Sequence, residues 1–71
     1  MIDVNKLIDV IKEKGFSVRD LAHKIYMDYS TLYRKIKNPD NLTIKEVKSI
    51  VEALDLNFNE AKTIFFSSTV A

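Results

Sequence analysis

Five times along this chain, at Asp3, Ser17, Asp28, Thr43 and Asn57, a residue suited to capping a helix stands just before an apolar run at helical spacing. Such a cap accepts a hydrogen bond from a first-turn backbone N–H that a helix otherwise leaves without a partner. Three of the five carry an acid three residues on, which can return the bond: Glu46 after Thr43, Glu60 after Asn57, and the shorter Asp20 after Ser17. Punctuation of the other kind is scarce. One glycine and one proline in 71 residues leave little for the turns of a sheet. The expected fold is therefore all-α, a compact bundle of five helices at about 3–14, 18–25, 29–37, 44–54 and 58–66.

The apolar positions set the faces of these helices. Val4, Leu7, Ile8 and Ile11 share a side of the first, which Gly15 stops. Ile44, Val47, Ile50, Val51 and Leu54 line the fourth, and Phe58, Ala61, Ile64 and Phe65 the fifth. Leu21, Ala22, Ile25, Leu32, Ile36, Val47, Ile50, Val51 and Leu54 are the expected centre of the core. A chain of this length makes one core, so residues 1–71 read as one domain with a tail at 67–71. No internal repeat, linker or low-complexity segment interrupts it.

Several function classes fall away on composition. Without cysteine there is no disulfide and no thiolate zinc site, which permits a cytoplasmic location. No apolar run approaches the roughly 18 residues of a membrane span, and no signal peptide is visible. His23 is the sole histidine, so it makes no metal site by itself. There is no glycine-rich phosphate loop, and the acids fall on caps and helix surfaces. Neither catalysis nor a cofactor is expected.

The informative stretch is 17–38, SVRDLAHKIYMDYSTLYRKIKN, which reads as two short helices joined by a tight turn. Val18, Leu21, Ala22 and Ile25 face inward from the first of them. The pattern breaks at Tyr26-Met27, Asp28 caps the second helix, and Asn38-Pro39 stops it. At about 100° per residue, Leu32 and Ile36 point to the core, while Ser30, Arg34 and Lys37 fall on the opposite side. Thr31 and Tyr33 flank that ridge, and Tyr29 stands at its leading end. A helix with a polar, basic outer ridge is suited to lie in the DNA major groove.

These residues resemble the Cro/CI (Xre-like) helix-turn-helix family, whose fold is lambda repressor-like, and in particular small regulators of phages of Gram-positive bacteria. The matching features are Leu21-Ala22, the apolar Ile25 and Met27 around the turn, and Ser30-Thr31-Leu32. Asn38-Pro39 and the A-L-x-L of Ala53 to Leu56 follow in the usual order. Asn57-Phe58-Asn59-Glu60 with Ile64-Phe65-Phe66 is also similar to those regulators, and the likeness runs from about Leu7 to Phe66. Two positions depart from the pattern. The turn glycine is Tyr26 here, so the turn either keeps φ > 0, straining tyrosine by roughly 1 kcal/mol or more, or takes another geometry. The glutamine with which the family opens the first of the two helices, bracing the recognition helix and a phosphate, is replaced here by Val18.

Net charge is only +1, but its distribution is uneven: residues 12–48 carry +4, residues 1–11 carry −1 and residues 49–71 carry −2. The excess lies on and around the helix-turn-helix. Arg34 is the candidate for a bidentate pair with guanine O6/N7. Ser30 is a base or phosphate contact. The rings of Tyr29 and Tyr33 either pack over the helix flank or offer edge and hydroxyl to thymine methyls and phosphates. Thr31, Lys37, Asn38 and Lys45 are candidate phosphate contacts, as is Ser17 at the start of its helix. Phe65 and Phe66 are consecutive on a helix and cannot both face inward, so Phe66, with Val70 nearby, is the candidate assembly contact.

Two functions fit these residues. One is a sequence-specific regulator resembling a phage Cro or repressor, binding double-stranded DNA as a homodimer on a pseudo-palindromic operator. The other is a protein-binding helix-turn-helix module that modulates another phage regulator, as an antirepressor does. The low net charge, Val18 and Tyr26 favour the second; the basic ridge favours the first.

Overall fold

The computed structural model describes residues 2–66. Its helices are α1 (Val4–Glu13), α2 (Val18–Lys24), α3 (Tyr29–Lys37), α4 (Ile44–Ala53) and α5 (Phe58–Phe65). They match the expected five to within a residue at each end, and the third matches at both. A 3₁₀ turn over Pro39–Asn41 adds an element the periodicity does not signal. The described residues contain no strand.

All five caps are engaged. Asp3 accepts from the Lys6 N–H, Ser17 from Asp20, Asp28 from Ser30, Thr43 from Glu46 and Asn57 from Glu60. Asp20, Glu46 and Glu60 accept in return from the backbone N–H of Ser17, Thr43 and Asn57 at 2.9, 2.9 and 3.0 Å. The helix ends follow a common plan as well. After α1, the Gly15 N–H donates to Lys12 O and the Phe16 N–H to Ile11 O. After α2, Tyr26 donates to His23 O and Met27 to Ala22 O; after α4, Asp55 donates to Glu52 O and Leu56 to Val51 O. Each is a Schellman stop, closed by a residue at positive φ: Gly15 at +86°, Tyr26 at +58° and Asp55 at +53°. An apolar residue and then the next cap follow each time: Phe16-Ser17, Met27-Asp28 and Leu56-Asn57. One four-residue connector thus occurs three times.

The core is a single buried cluster: Leu7, Val10, Ile11, Leu21, Ala22, Leu32, Ile36, Ile50, Leu54, Leu56, Ile64 and Phe65. Three expected central residues, Ile25, Val47 and Val51, are only half-buried at its margin. Ile25 is the C-cap of α2, where the helix ends. On α4 the buried side centres on Ile50 and Leu54, which leaves Val47 about 40° and Val51 about 80° to one side. The same rotation puts Ile44 on the surface, 87 % exposed. On α1 the buried side is Leu7, Val10 and Ile11, so Ile8 moves to the margin and Val10 takes its place. Phe58 is 78 % exposed because it opens α5, where a side chain tilted toward the N-terminus has no preceding turn to lie on. Phe65 is buried, and Phe66, the C-cap of α5, is exposed.

Two long-range ties set the frame. The Asp3 N–H donates to Ile64 O at 2.8 Å, and Lys14 Nζ lies 3.5 Å from Glu60 Oε1. The start of α1 therefore meets the end of α5 and the reverse, an antiparallel pair. α2 packs on α3 and also touches α4. That arrangement leaves the far side of α3 uncovered.

Candidate nucleic-acid interface

α3 buries only Leu32 and Ile36. Opposite them Ser30, Arg34, Lys37 and Asn38 are exposed, so the ridge expected from spacing is a free surface among the described residues. Asp28 secures the leading end: its carboxylate accepts from the Ser30 N–H at 3.0 Å. The Asn38 N–H donates to Arg34 O and closes the trailing end, after which Pro39 turns the chain away.

Each flank of the ridge is held by a neighbouring element. On the α2 side, Tyr29 is half-buried and its ring carries the Arg19 guanidinium at 4.3 Å. Tyr33 is exposed, 5.9 Å from Tyr29 between ring centres, with Lys37 Nζ at 5.1 Å. In the free chain both rings pack over the flank of α3, and no hydrogen bond engages either hydroxyl among the described residues. On the α4 side, Thr31, Arg34, Lys35 and Asn41 line a shallow groove. Lys35 Nζ bonds Glu46 Oε2 at 2.6 Å while Glu46 Oε1 holds the Thr43 cap. One carboxylate therefore fastens α4 to α3. The Lys35 ammonium, and then the Thr43 N–H, keep the Glu46 carboxyl below the usual carboxylate range.

Lys45 is exposed in the first turn of α4, next to Glu46, so it flanks the site from that side. Ser17 Oγ accepts from the Asp20 N–H at 3.1 Å. The Ser17 backbone N–H, together with its hydroxyl, holds the Asp20 carboxyl below the ordinary value, so an acid sits at that helix start. Phe66 is 54 % exposed at the far end of α5; Val70 lies outside the described residues. Sequence reasoning misses Arg19 and Asn41, because each joins the site only through packing of a second element on α3. The described residues hold no group of acids, histidines or cysteines suited to a metal, and no helix of theirs is long and apolar enough to cross a membrane.

A family model of the Cro/C1-type helix-turn-helix DNA-binding domain matches residues 6–63, from within α1 to within α5. The chain belongs to that family. Neither a curated protein nor a solved structure matches it significantly. As a Cro/C1-type domain it places α2 and α3 as the helix-turn-helix pair. The turn between them keeps φ > 0 at Tyr26, which is 98 % exposed. Of the two geometries open to this position, the strained one is adopted.

Proposed function

We propose that the protein is a sequence-specific transcriptional regulator, a small Cro- or repressor-like protein of the phage type, acting in the cytoplasm as a single domain. The supporting observation is the outer ridge of α3: Ser30 and Arg34 are exposed, have no core role, and stand between two flanks fixed by α2 and α4. In this reading α3 lies in the major groove, with Tyr29, Ser30, Tyr33 and Arg34 toward base edges. Ser17, Thr31, Lys37, Asn38 and Lys45 meet phosphates, which position the domain without reading sequence. Repression follows from occluding polymerase or a competing regulator.

One short helix reads only a half-site, so the regulator acts as a homodimer on a pseudo-palindrome. Ile44, Phe58 and Phe66 supply exposed apolar surface away from the ridge, and residues 49–71 are net acidic, unsuited to phosphates. We assign self-association to that side, with Phe66 central. The same apolar surface favours a second reading, pairing with another phage regulator in the manner of an antirepressor.

Duplexes tiled across the chain's own genomic neighbourhood, assayed by fluorescence anisotropy, separate the two. The regulator binds one pseudo-palindromic site on the order of 10³-fold more tightly than random duplex. In sedimentation, Phe66→Ser lowers dimer content and operator affinity together while the helical spectrum is retained. Equal weak binding to every duplex, alongside a stable complex with a repressor, would replace the first reading with the second.

A further inference from the structure

The α2-facing flank of α3 carries four side chains in a row: Arg19, Tyr29, Tyr33 and Lys37. Three follow from spacing alone, since 29, 33 and 37 are four apart and share a stripe of the helix. Arg19 comes from α2 and is brought over Tyr29 by the packing of the two helices. An aromatic face attracts a cation through its quadrupole, so Tyr29 restricts where the guanidinium sits.

That contact uses none of the guanidinium's N–H donors. Among the described residues Arg19 makes no ion pair and no hydrogen bond, and the adjacent Asp20 carboxylate is engaged by Ser17. Arg19 is thus held in place with five donors uncommitted, in the planar fork that matches a phosphate bidentately. The outer ridge of α3 beyond the tyrosines carries Ser30, Arg34 and Lys37, all exposed, and the surrounding segment is net positive. An acidic group is the partner such a face selects. At the other end of the row Lys37 rests on Tyr33, and the three separations limit the two charges to about 15 Å apart. Both cations stand on the same flank of α3, one at each end of the row, so with α3 in the major groove they face the phosphates along one of its edges.

The geometry points to a phosphodiester-binding site at Arg19, seated on Tyr29, which pairs with Lys37 to clamp the DNA backbone at the two ends of the tyrosine row. This rests on the DNA-binding reading.

The test measures wild type, Arg19→Ala, Arg19→Lys and Tyr29→Leu by anisotropy across a salt series. Two duplexes are used: an operator selected from a random pool and a random-sequence duplex. Arg19→Ala weakens both by the same factor, on the order of tenfold, and lowers the log–log salt slope by about 0.9 per bound protomer. Arg19→Lys keeps the slope but loses several-fold in affinity, because the fork is gone and the charge is not. On the random duplex, where base reading is absent, Tyr29→Leu weakens wild type but adds nothing to Arg19→Ala. Arg19 is exposed, so a matching far-UV spectrum shows that the fold is intact in its variants. A wild type that binds DNA while Arg19→Ala keeps full affinity and slope overturns this inference and leaves the DNA-binding reading standing. A loss confined to the operator with an unchanged slope overturns it in favour of base contact. Wild type without affinity for any duplex removes both.

Discussion

Lys14–Ser17 and Ile25–Asp28 make the same connection with different residues. In both, two backbone bonds stop a helix, an apolar residue follows, and a cap starts the next helix. The left-handed residue is Gly15 in the first and Tyr26 in the second. Glycine takes that conformation freely, whereas a bulky L-residue there is strained by about 1–2 kcal/mol. Tyr26 gains nothing by burial, since its ring stands in solvent. What holds it is on either side: the Met27 N–H bonded to Ala22 O at 2.9 Å, and Asp28 capping α3. The connector's shape is set by its bonds and flanks, and the residue at its apex only raises or lowers the energy of that shape.

The two connectors also differ three residues before the C-cap, where α1 has Ile11 and α2 has Ala22, both buried. Ala22 is expected to stand where α2 and α3 come closest, so that a methyl suits the position. Ala22→Leu is expected to overpack the contact and destabilise the fold by about 1–3 kcal/mol in denaturant unfolding. Wild-type stability in that variant would mean the two helices leave room there, and the reason offered for alanine would be lost.

Exchanging the apex residues sharpens the comparison. A Cβ added at Gly15 meets nothing within 4 Å, so Gly15→Ala tests the backbone alone and should lower stability by about 1 kcal/mol. Tyr26→Gly should raise it by up to about 1 kcal/mol, the relieved strain being partly offset by the freer unfolded chain. Thermal unfolding of both variants checks the signs. If Tyr26→Gly were destabilising, the ring would have a partner that the strain argument omits.

The smallest expected effect concerns the reciprocal caps that open α2, α4 and α5. Asp20, Glu46 and Glu60 all have carboxyls held below the usual range. A group depressed in the folded state contributes stability at pH above its unfolded value and loses it as pH falls through the folded one. Stability should therefore decline as pH drops below about 4. Glu46→Gln should flatten that decline more than Asp20→Asn, because Glu46 also holds Lys35. Equal acid limbs in the two variants would remove the Lys35 tie from the account.

The starts of the helices are far more legible in the sequence than their stops. Asp3, Ser17, Asp28, Thr43 and Asn57 are all readable, because N-capping is local chemistry of one side chain and the next turn. Among the stops Gly15 and Asn38-Pro39 announce themselves. Tyr26 becomes readable through family resemblance, and Asp55 does not stand out at all. The outer ridge of α3 is legible from periodicity, since Leu32 and Ile36 fix which side is inward. Arg19 on Tyr29 and Glu46 on Lys35 are not, because each depends on how one helix lies on another. The exposure of Ile44 and Phe58 escapes the pattern for a related reason: spacing gives an apolar side but not the angle at which packing rotates it.

The central claim is that the outer ridge of α3 reads DNA, and Arg34→Ala tests it most directly. Affinity for the selected operator and for a panel of single-base variants of it should be measured beside Lys37→Ala. Arg34→Ala should weaken the operator by about 1–3 kcal/mol and abolish preference at one base position in each half-site. Lys37→Ala should weaken all sequences alike and reduce the salt dependence. If Arg34→Ala keeps both the affinity and the base preferences of wild type, α3 is not the reading helix and the account is contradicted.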